Sequence, residues 1–212
     1  MIRLSDLLTG YSALSTRDRL HMTIRWRVCP MRRIASYVPE RGVIVDLGCG
    51  HGLFTQLMAR EAQDRTVIGV DLDEHKVALA KTLCVPNLRF EVGDLAAVEL
   101  PPVDALIILD VFYLVPYAVQ EALLRACARR LGHGGVILLK DMAEVPRWKV
   151  ALNWLEETLA VRVLRITLGG EFYFRSRAGW TRLFESLGFS VEVIPLDRGY
   201  YHPHVLLVAR KA

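Results

Sequence analysis

A chain of 212 residues, 52% of them hydrophobic and 24% charged, has the length of one domain and is too apolar to be disordered. It holds no run of about 18 uncharged apolar residues, so no membrane-spanning helix is expected. The net charge of +4 is concentrated in residues 1–42, where eight Lys/Arg stand against three Asp/Glu; residues 43–212 carry 19 against 20.

The N-terminus lacks the apolar core and cleavage site of a signal peptide. Cys29, Cys49, Cys84 and Cys127 are far apart and form no C-x-x-C pair, which fits neither a zinc site nor a disulfide framework. Reduced thiols and a cytoplasmic location are expected. Leu4 to Leu8 read as a short helix with Ser5 and Asp6 as possible caps. From Thr16 to Tyr37, apolar Leu20, Ile24, Trp26, Val28, Met31 and Ile34 are mixed with Arg17, Arg19, Arg25, Arg27, Arg32 and Arg33. One or two amphipathic helices interrupted near Pro30 are expected, so that residues 1–42 form a basic helical cap. Its arginines make either a solvated face or a docking surface for an acidic carrier protein or an anionic membrane. Nucleic acid is the least favoured partner, because the rest of the chain is not basic.

Val43-Ile-Val-Asp-Leu47 is a short apolar run that reads as a buried strand. Gly48, Gly50 and Gly52 follow at alternate positions, and Leu53, Phe54 and Leu57 start a helical pattern. Such a strand-turn-helix exposes bare backbone and the N–H groups of the helix start to a ligand. Thr66 to Asp71 reads as a second parallel strand. Asp73 is placed to cap the next helix, Glu74 to Leu83, which leaves Asp71 at the strand end to accept from ribose hydroxyls. Leu88 to Asp94 is a third strand, with Phe90 and Val92 inward.

Asp104 to Asp110 is nearly continuous in apolar character, as a strand buried on both faces must be. It runs into Val111, Phe112 and Tyr113, and a helix over 118–131 follows. Leu131 to Gly135 reads as a turn with His133 in its loop, and Val136 to Lys140 as a fifth strand ending beside Asp141. Residues 142–176 interrupt the alternation and suit a lid over an acceptor pocket, a packed crossover or a dimer contact. Within them Gly169, Gly170, Phe172, Tyr173 and Phe174 are candidates to line that pocket. Trp180 to Leu187, closed by Gly188, is a helix. Phe189 to Ile194 and His204 to Arg210 are the last strands. The nine residues between them cannot hold a crossover helix, so the final pair must be antiparallel. Tyr200, Tyr201, His202 and His204 then crowd the carboxyl rim of the parallel strands.

Asp46 with Gly48, Gly50 and Gly52 resembles the first motif of the class I S-adenosylmethionine (SAM) dependent methyltransferases, an acidic residue followed by G-x-G-x-G. The ordered elements extend the likeness over roughly residues 40 to 210. A nicotinamide-binding turn is the rival, but Leu53 stands where its third glycine belongs. The resemblance implies an α/β, Rossmann-like sheet of seven strands in the order 3-2-1-4-5-7-6, strand 7 antiparallel, with helices on both faces, over residues 43–212. It implies SAM as cofactor and S-adenosylhomocysteine as product. The residues it assigns to the cofactor are Asp46, Gly48, Cys49, Gly50 and Gly52 in the turn, Asp71 and Leu72 at the ribose, Gly93, Asp94 and Leu95 at the adenine, and Asp110 and Val111 at the methionine half.

The N/D-P-P-Y/F signature of methyltransferases acting on base amines or glutamine is absent after the fourth strand, and the segment looks like the small-molecule type. Tyr113, Asp141, His202 and His204 are the catalytic candidates, and no metal set is visible. The apolar 148–174 segment and the basic cap favour a hydrophobic or aromatic acceptor, free, carrier-linked or lipid-linked, handled by a monomer or homodimer. A SAM-binding protein without catalysis, a methyltransferase for RNA or protein and, more remotely, an NAD-dependent oxidoreductase stay open.

Overall fold

A computed structural model describes residues 2–94, 101–142, 173–200 and 202–212. The expected adenine neighbour Leu95, Tyr201, and most of the lid segment, including Gly169, Gly170 and Phe172, lie outside these residues.

Seven strands form one sheet: β1 (Gly42–Leu47), β2 (Arg65–Asp71), β3 (Leu88–Val92), β4 (Val103–Leu109), β5 (Leu131–Met142), β6 (Phe189–Pro195) and β7 (His204–Lys211). Their order is β3-β2-β1-β4-β5-β7-β6. β1 pairs in parallel with β2 (Ile44 beside Val67) and with β4 (Ile44 beside Ala105). β7 runs antiparallel to both neighbours, with His204 beside Met142 of β5 and Val208 beside Glu192 of β6. The short connection before β7 leaves no other sense of pairing.

Because strand side chains alternate, each central strand feeds two cores. Ile44, Ile107, Leu138 and Leu206 join one face under the helices α1 (Leu4–Leu8), α2 (Thr16–Val28), α3 (Met31–Ala35), α4 (Leu53–Glu61) and α5 (Glu74–Ala80). Val45, Ile108, Leu139 and Leu207 join the other under α6 (Tyr117–Arg130) and α7 (Arg177–Ser186).

Several local expectations need correction. Arg3, not Ser5, caps α1, and the Asp6 carboxylate reaches back to the Arg3 amide at 2.8 Å. Val92 is exposed, because β3 is the edge strand and its last residue outruns the helices that cover Phe90. Gly132 to Gly135 are not a free turn: they bulge from β5 between the pairs Val103–Leu131 and Ala105–Val136, so four residues stand opposite Asp104. On α2, Leu20 and Ile24 are 60% and 50% exposed while Met22 and Cys29 beyond its end are buried. The helix turns Asp18, Met22 and Arg25 inward because it lies over polar strand ends rather than over apolar core.

Candidate active site

The site is built where β1 ends. Gly48, Gly50 and Gly52 all have positive φ (77°, 56° and 78°), a region that costs an L side chain about 1–2 kcal/mol. The Gly48 and Cys49 amides donate to the Val70 carbonyl at 2.8 and 3.1 Å, which hooks the turn onto β2. Two of the glycines are required by packing: a Cβ on Gly48 would stand 2.3 Å from Val111 Cγ2, and one on Gly52 would stand 2.4 Å from Phe90 Cζ. Gly50 differs. Its added Cβ would meet nothing nearer than Lys76 Cδ at 4.0 Å, so the turn opens a hollow at this residue.

Asp71 closes one side of that hollow. One carboxylate oxygen accepts from the Gly50 amide at 2.7 Å and the other from the Asp73 amide at 2.9 Å. Each oxygen keeps a second lone pair. Asp73 also caps α5 by accepting from the Lys76 amide, the division of labour expected from the sequence. Leu72 beside it is exposed. The Gly93 amide donates to the Asp71 carbonyl at 3.0 Å, which brings exposed Asp94 to the same end of the sheet.

Beneath the turn, Asp46 is 2% exposed and accepts from the Thr55 hydroxyl at 2.6 Å. Burial pushes its carboxyl up to about 7 against the pull of that hydroxyl, and the like charge of Asp71 adds to the rise. Burial also pushes the Cys49 thiol far up, so it is a protonated packing group, not a nucleophile. The N-terminal cap fastens the turn from above: the Tyr11 hydroxyl donates to the His51 carbonyl at 2.6 Å, and His51 Nε2 lies 3.2 Å from an Asp18 oxygen.

A second polar corner lies at the carboxyl ends of β4 and β5. Asp110 has φ 59°, and among the described residues no other non-glycine residue is positive. Its amide donates to the Lys140 carbonyl at 3.2 Å. Its carboxylate pairs with Arg25 Nη1 at 2.6 Å and with the Lys140 ammonium, which is 2% exposed. Burial pushes the Asp110 carboxyl up, but Lys140 and Arg25 outweigh it and hold the group well below the usual range. Neither cation was expected from the sequence. Arg25 was grouped with the solvent-facing arginines, and Lys140 with the strand that ends at Asp141. The available signal was Lys140 itself: a lysine closing an apolar, doubly buried strand must find a carboxylate.

The four catalytic candidates do not converge. Asp141 follows Lys140 and therefore points to the opposite face of the sheet, where it accepts from Trp180 Nε1 at 2.8 Å and from the Met142 amide. Burial pushes it up to about 6 against those bonds, and it anchors α7 rather than facing Asp110. Tyr113 stacks on Phe174 with centroids 5.4 Å apart, and Tyr117 meets Tyr173 edge-on at 5.5 Å. Gln120, which the sequence gave no reason to single out, ties this wall together by donating to the carbonyls of Phe112, Val115 and Tyr173. His202 is half-buried, with its ring 5.6 Å from that of His204.

His204 itself is 3% exposed on the Lys140 face, and its Nε2 lies 2.7 Å from the Val28 carbonyl. The Nδ1 atom is buried without a hydrogen-bond partner, a condition that costs about 1–3 kcal/mol. Among the described residues no group of three His, Cys, Asp or Glu is arranged to hold a metal ion, and no helix is long and apolar enough to cross a membrane.

Comparison with known proteins agrees with this geometry. The model of a family described as a methyltransferase domain matches residues 44–135. Trans-aconitate 2-methyltransferase of Deinococcus radiodurans is 39% identical over 80 residues, which cover 37% of this chain and 31% of that protein. Ubiquinone biosynthesis O-methyltransferase of Xanthomonas oryzae pv. oryzae is 34% identical over 107 residues, covering 49% and 44%. The matched region thus spans less than half the length of these relatives. Among solved structures, magnesium protoporphyrin IX methyltransferase from Synechocystis PCC 6803 with bound SAH superposes with TM-score 0.68 at 18% identity, over 97% of this chain and 91% of that one. Human N-acetylserotonin methyltransferase with SAM gives 0.71 at 20% identity, over 92% and 54%. The glycine turn thus lies inside the region matched by the methyltransferase-domain model, and the sheet, closed by a reversed seventh strand, has the fold of the SAM-dependent methyltransferases it superposes on.

Proposed function

We propose that the protein transfers the methyl group of SAM to a small acceptor with an aromatic or otherwise apolar body. The observation that carries this reading is the hollow at Gly50, bounded by a carboxylate with lone pairs to spare at the carboxyl end of parallel strands. The residues fit the cofactor. The turn offers bare backbone to its adenosyl part, Asp71 suits the ribose hydroxyls and Asp94 the adenine amino group. Asp46 beneath the turn is the carboxyl group left for the cationic methionine half, since Asp110 is already engaged by Arg25 and Lys140. SAM supplies a methyl already made electrophilic by its sulfonium, so the protein's task is alignment and exclusion of water.

The stacked Tyr113–Phe174 pair and the Tyr117–Tyr173 pair, built on the segment that follows Asp110, favour a flat apolar acceptor. The trans-aconitate relatives raise a polycarboxylate as a second acceptor class. Arg25 and Lys140, the two cations of the Asp110 corner, are already engaged by that carboxylate, which weighs against it. Calorimetry is expected to show binding of S-adenosylhomocysteine and none of NADH. Labelled SAM is expected to methylate members of a panel of phenols, fatty acids and carrier-bound acyl groups. Labelling of RNA or protein alone would overturn the acceptor class, and binding without any turnover would leave a SAM-binding protein.

We further propose that the outer face of α2 rests on an anionic bilayer. Arg17, Leu20, Ile24 and Arg27 share that face, two exposed apolar side chains between two cations with no acidic residue among them. Co-sedimentation with phosphatidylglycerol vesicles but not phosphatidylcholine vesicles is expected, lost in the Leu20→Glu/Ile24→Glu variant. Binding to neither vesicle, or capture by an acidic carrier protein alone, would refute it.

A further inference from the structure

His204 is held by one nitrogen and idle at the other. A carbonyl oxygen has no proton to give, so the Nε2 that faces the Val28 carbonyl at 2.7 Å must be the protonated nitrogen. In the neutral ring Nδ1 then carries a lone pair, and this atom is buried without a partner. Buried polar atoms in native proteins are nearly always satisfied, so a bare acceptor at the carboxyl rim of the strands points to a donor that arrives with a ligand. The position agrees. His204 opens β7 and pairs with Met142 just past Lys140, at the rim formed by the ends of β4 and β5. Opposite Met142 it shares a sheet face with Lys140, the partner of Asp110, and the His202 ring lies 5.6 Å away, which places it in the Asp110 corner.

We propose that His204 Nδ1 accepts the hydrogen bond of a hydroxyl group on the acceptor and takes its proton during transfer, so that the protein is an O-methyltransferase. The assignment rests on the methyltransferase reading above. The acceptor oxygen gains the methyl carbon as that carbon's bond to sulfur breaks, and the electron pair of the broken bond stays on sulfur. The proton of the oxygen passes to Nδ1, so the positive charge lost from the sulfonium reappears on the imidazole, which releases its proton to solvent afterwards.

Burial and the nearby Lys140 ammonium hold this imidazole down to about 3, so the resting ring is neutral. A base this weak suffices, because an oxygen that has gained a methyl group before losing its proton is a far stronger acid than any imidazolium. Arg25, Lys140 and Asp110 stay paired with one another and leave the lone pair of Nδ1 as the acceptor.

Two substitutions separate the halves of the ring. His204→Gln keeps an amide N–H long enough for the Val28 carbonyl and removes Nδ1; His204→Asn keeps a polar atom near Nδ1 and gives up the tie to α2. With methylcatechol, whose hydroxyls are protonated at neutral pH, His204→Gln is expected to lower kcat about 10²-fold, the low end for general-base catalysis because the base is weak. With nitrocatechol, which is already ionised, the loss is expected to be small. The melting temperature and the affinity for S-adenosylhomocysteine stay as in the wild type, and His204→Asn recovers part of the methylcatechol rate.

Equal losses on both catechols, no loss, or a fall in cofactor affinity would overturn the proposal, the last by revealing a purely structural histidine. A wild type that binds S-adenosylhomocysteine but turns over neither catechol would also overturn it, leaving the cofactor reading intact; failure to bind S-adenosylhomocysteine would remove that reading instead. Nitrogen-15 NMR gives a readout without turnover. The bare Nδ1 resonance of the S-adenosylhomocysteine complex is expected to move upfield as methylcatechol is added, and a resonance that does not move defeats the assignment.

Discussion

Replacing Gly50 by alanine is expected to give a folded protein whose affinity for SAM falls at least tenfold, whereas the same change at Gly52 is expected to destabilise the fold by about 2–5 kcal/mol. At Gly50 the φ of 56° is in the left-handed region, and alanine there costs about 1–2 kcal/mol. The new methyl finds open space, with Lys76 Cδ at 4.0 Å as its nearest neighbour, so packing adds nothing. That space is the cradle assigned to the cofactor, and filling it should cost at least tenfold in affinity, about 1.4 kcal/mol. At Gly52 the φ of 78° adds a similar strain, but the methyl stands 2.4 and 2.5 Å from two atoms of the Phe90 ring. Phe90 is 6% exposed and packed in the core, so relief requires a shift of β3 or of α4, with an overpacking cost of about 1–3 kcal/mol on top. Thermal melts and S-adenosylhomocysteine calorimetry on the two variants distinguish the cases. A Gly50→Ala protein with undiminished affinity would show that the hollow belongs to something other than the cofactor.

The turn and its strands were legible because every local signal agrees. The apolar run of β1, the alternate glycines, the helical spacing from Leu53 and the cap at Asp73 demand one chain path. The reversed β7 was legible from connection length alone. The Asp110 corner was not, because its bonds join residues 85 and 30 positions apart, between elements whose facing no local pattern decides. Arg25 illustrates the failure. On α2 the apolar positions Leu20 and Ile24 pointed to an inward face that is in fact outward, since the surface under the helix is a set of polar strand ends. Asp141 shows the companion error. A residue at the carboxyl end of a central strand faces one side of the sheet or the other, and a shift of one position from Lys140 to Asp141 exchanges the Asp110 corner for Trp180. The Gly132–Gly135 bulge was read as a turn because glycines signal both equally.

Asp110→Asn is expected to be the most destabilising conservative substitution in the corner. Asparagine has the shape of aspartate and tolerates positive φ, so the backbone at 59° is not newly strained and only the charge is lost. Arg25 has a side chain 32% exposed and can turn to solvent, but Lys140 at 2% cannot. Removing one partner of so buried a pair costs about 3–5 kcal/mol, because the remaining charge stays without compensation. For a domain of this size that is a fall in Tm of roughly 6–20 °C.

Adding Lys140→Met should restore most of the loss, since methionine keeps the aliphatic bulk and brings no charge into the core. Arg25→Met alone should cost far less. The pH dependence supplies an independent check. The folded carboxyl of Asp110 lies below its unfolded value, so its contribution is complete above about pH 4 and is lost as acid protonates the unfolded chain first. Asp46 and Asp141 lie above their unfolded values, so they bind protons preferentially in the folded state and lower stability as pH rises from about 4 towards 7. Below pH 4 the wild type loses stability with falling pH through Asp110 and through Asp6, Asp18 and Asp73, which hydrogen bonds also hold low, so the share of Asp110 is read as the difference from the Asp110→Asn protein, which should lose less. Equal acid slopes in the two proteins would mean that Lys140 is neutralised by something other than this carboxylate.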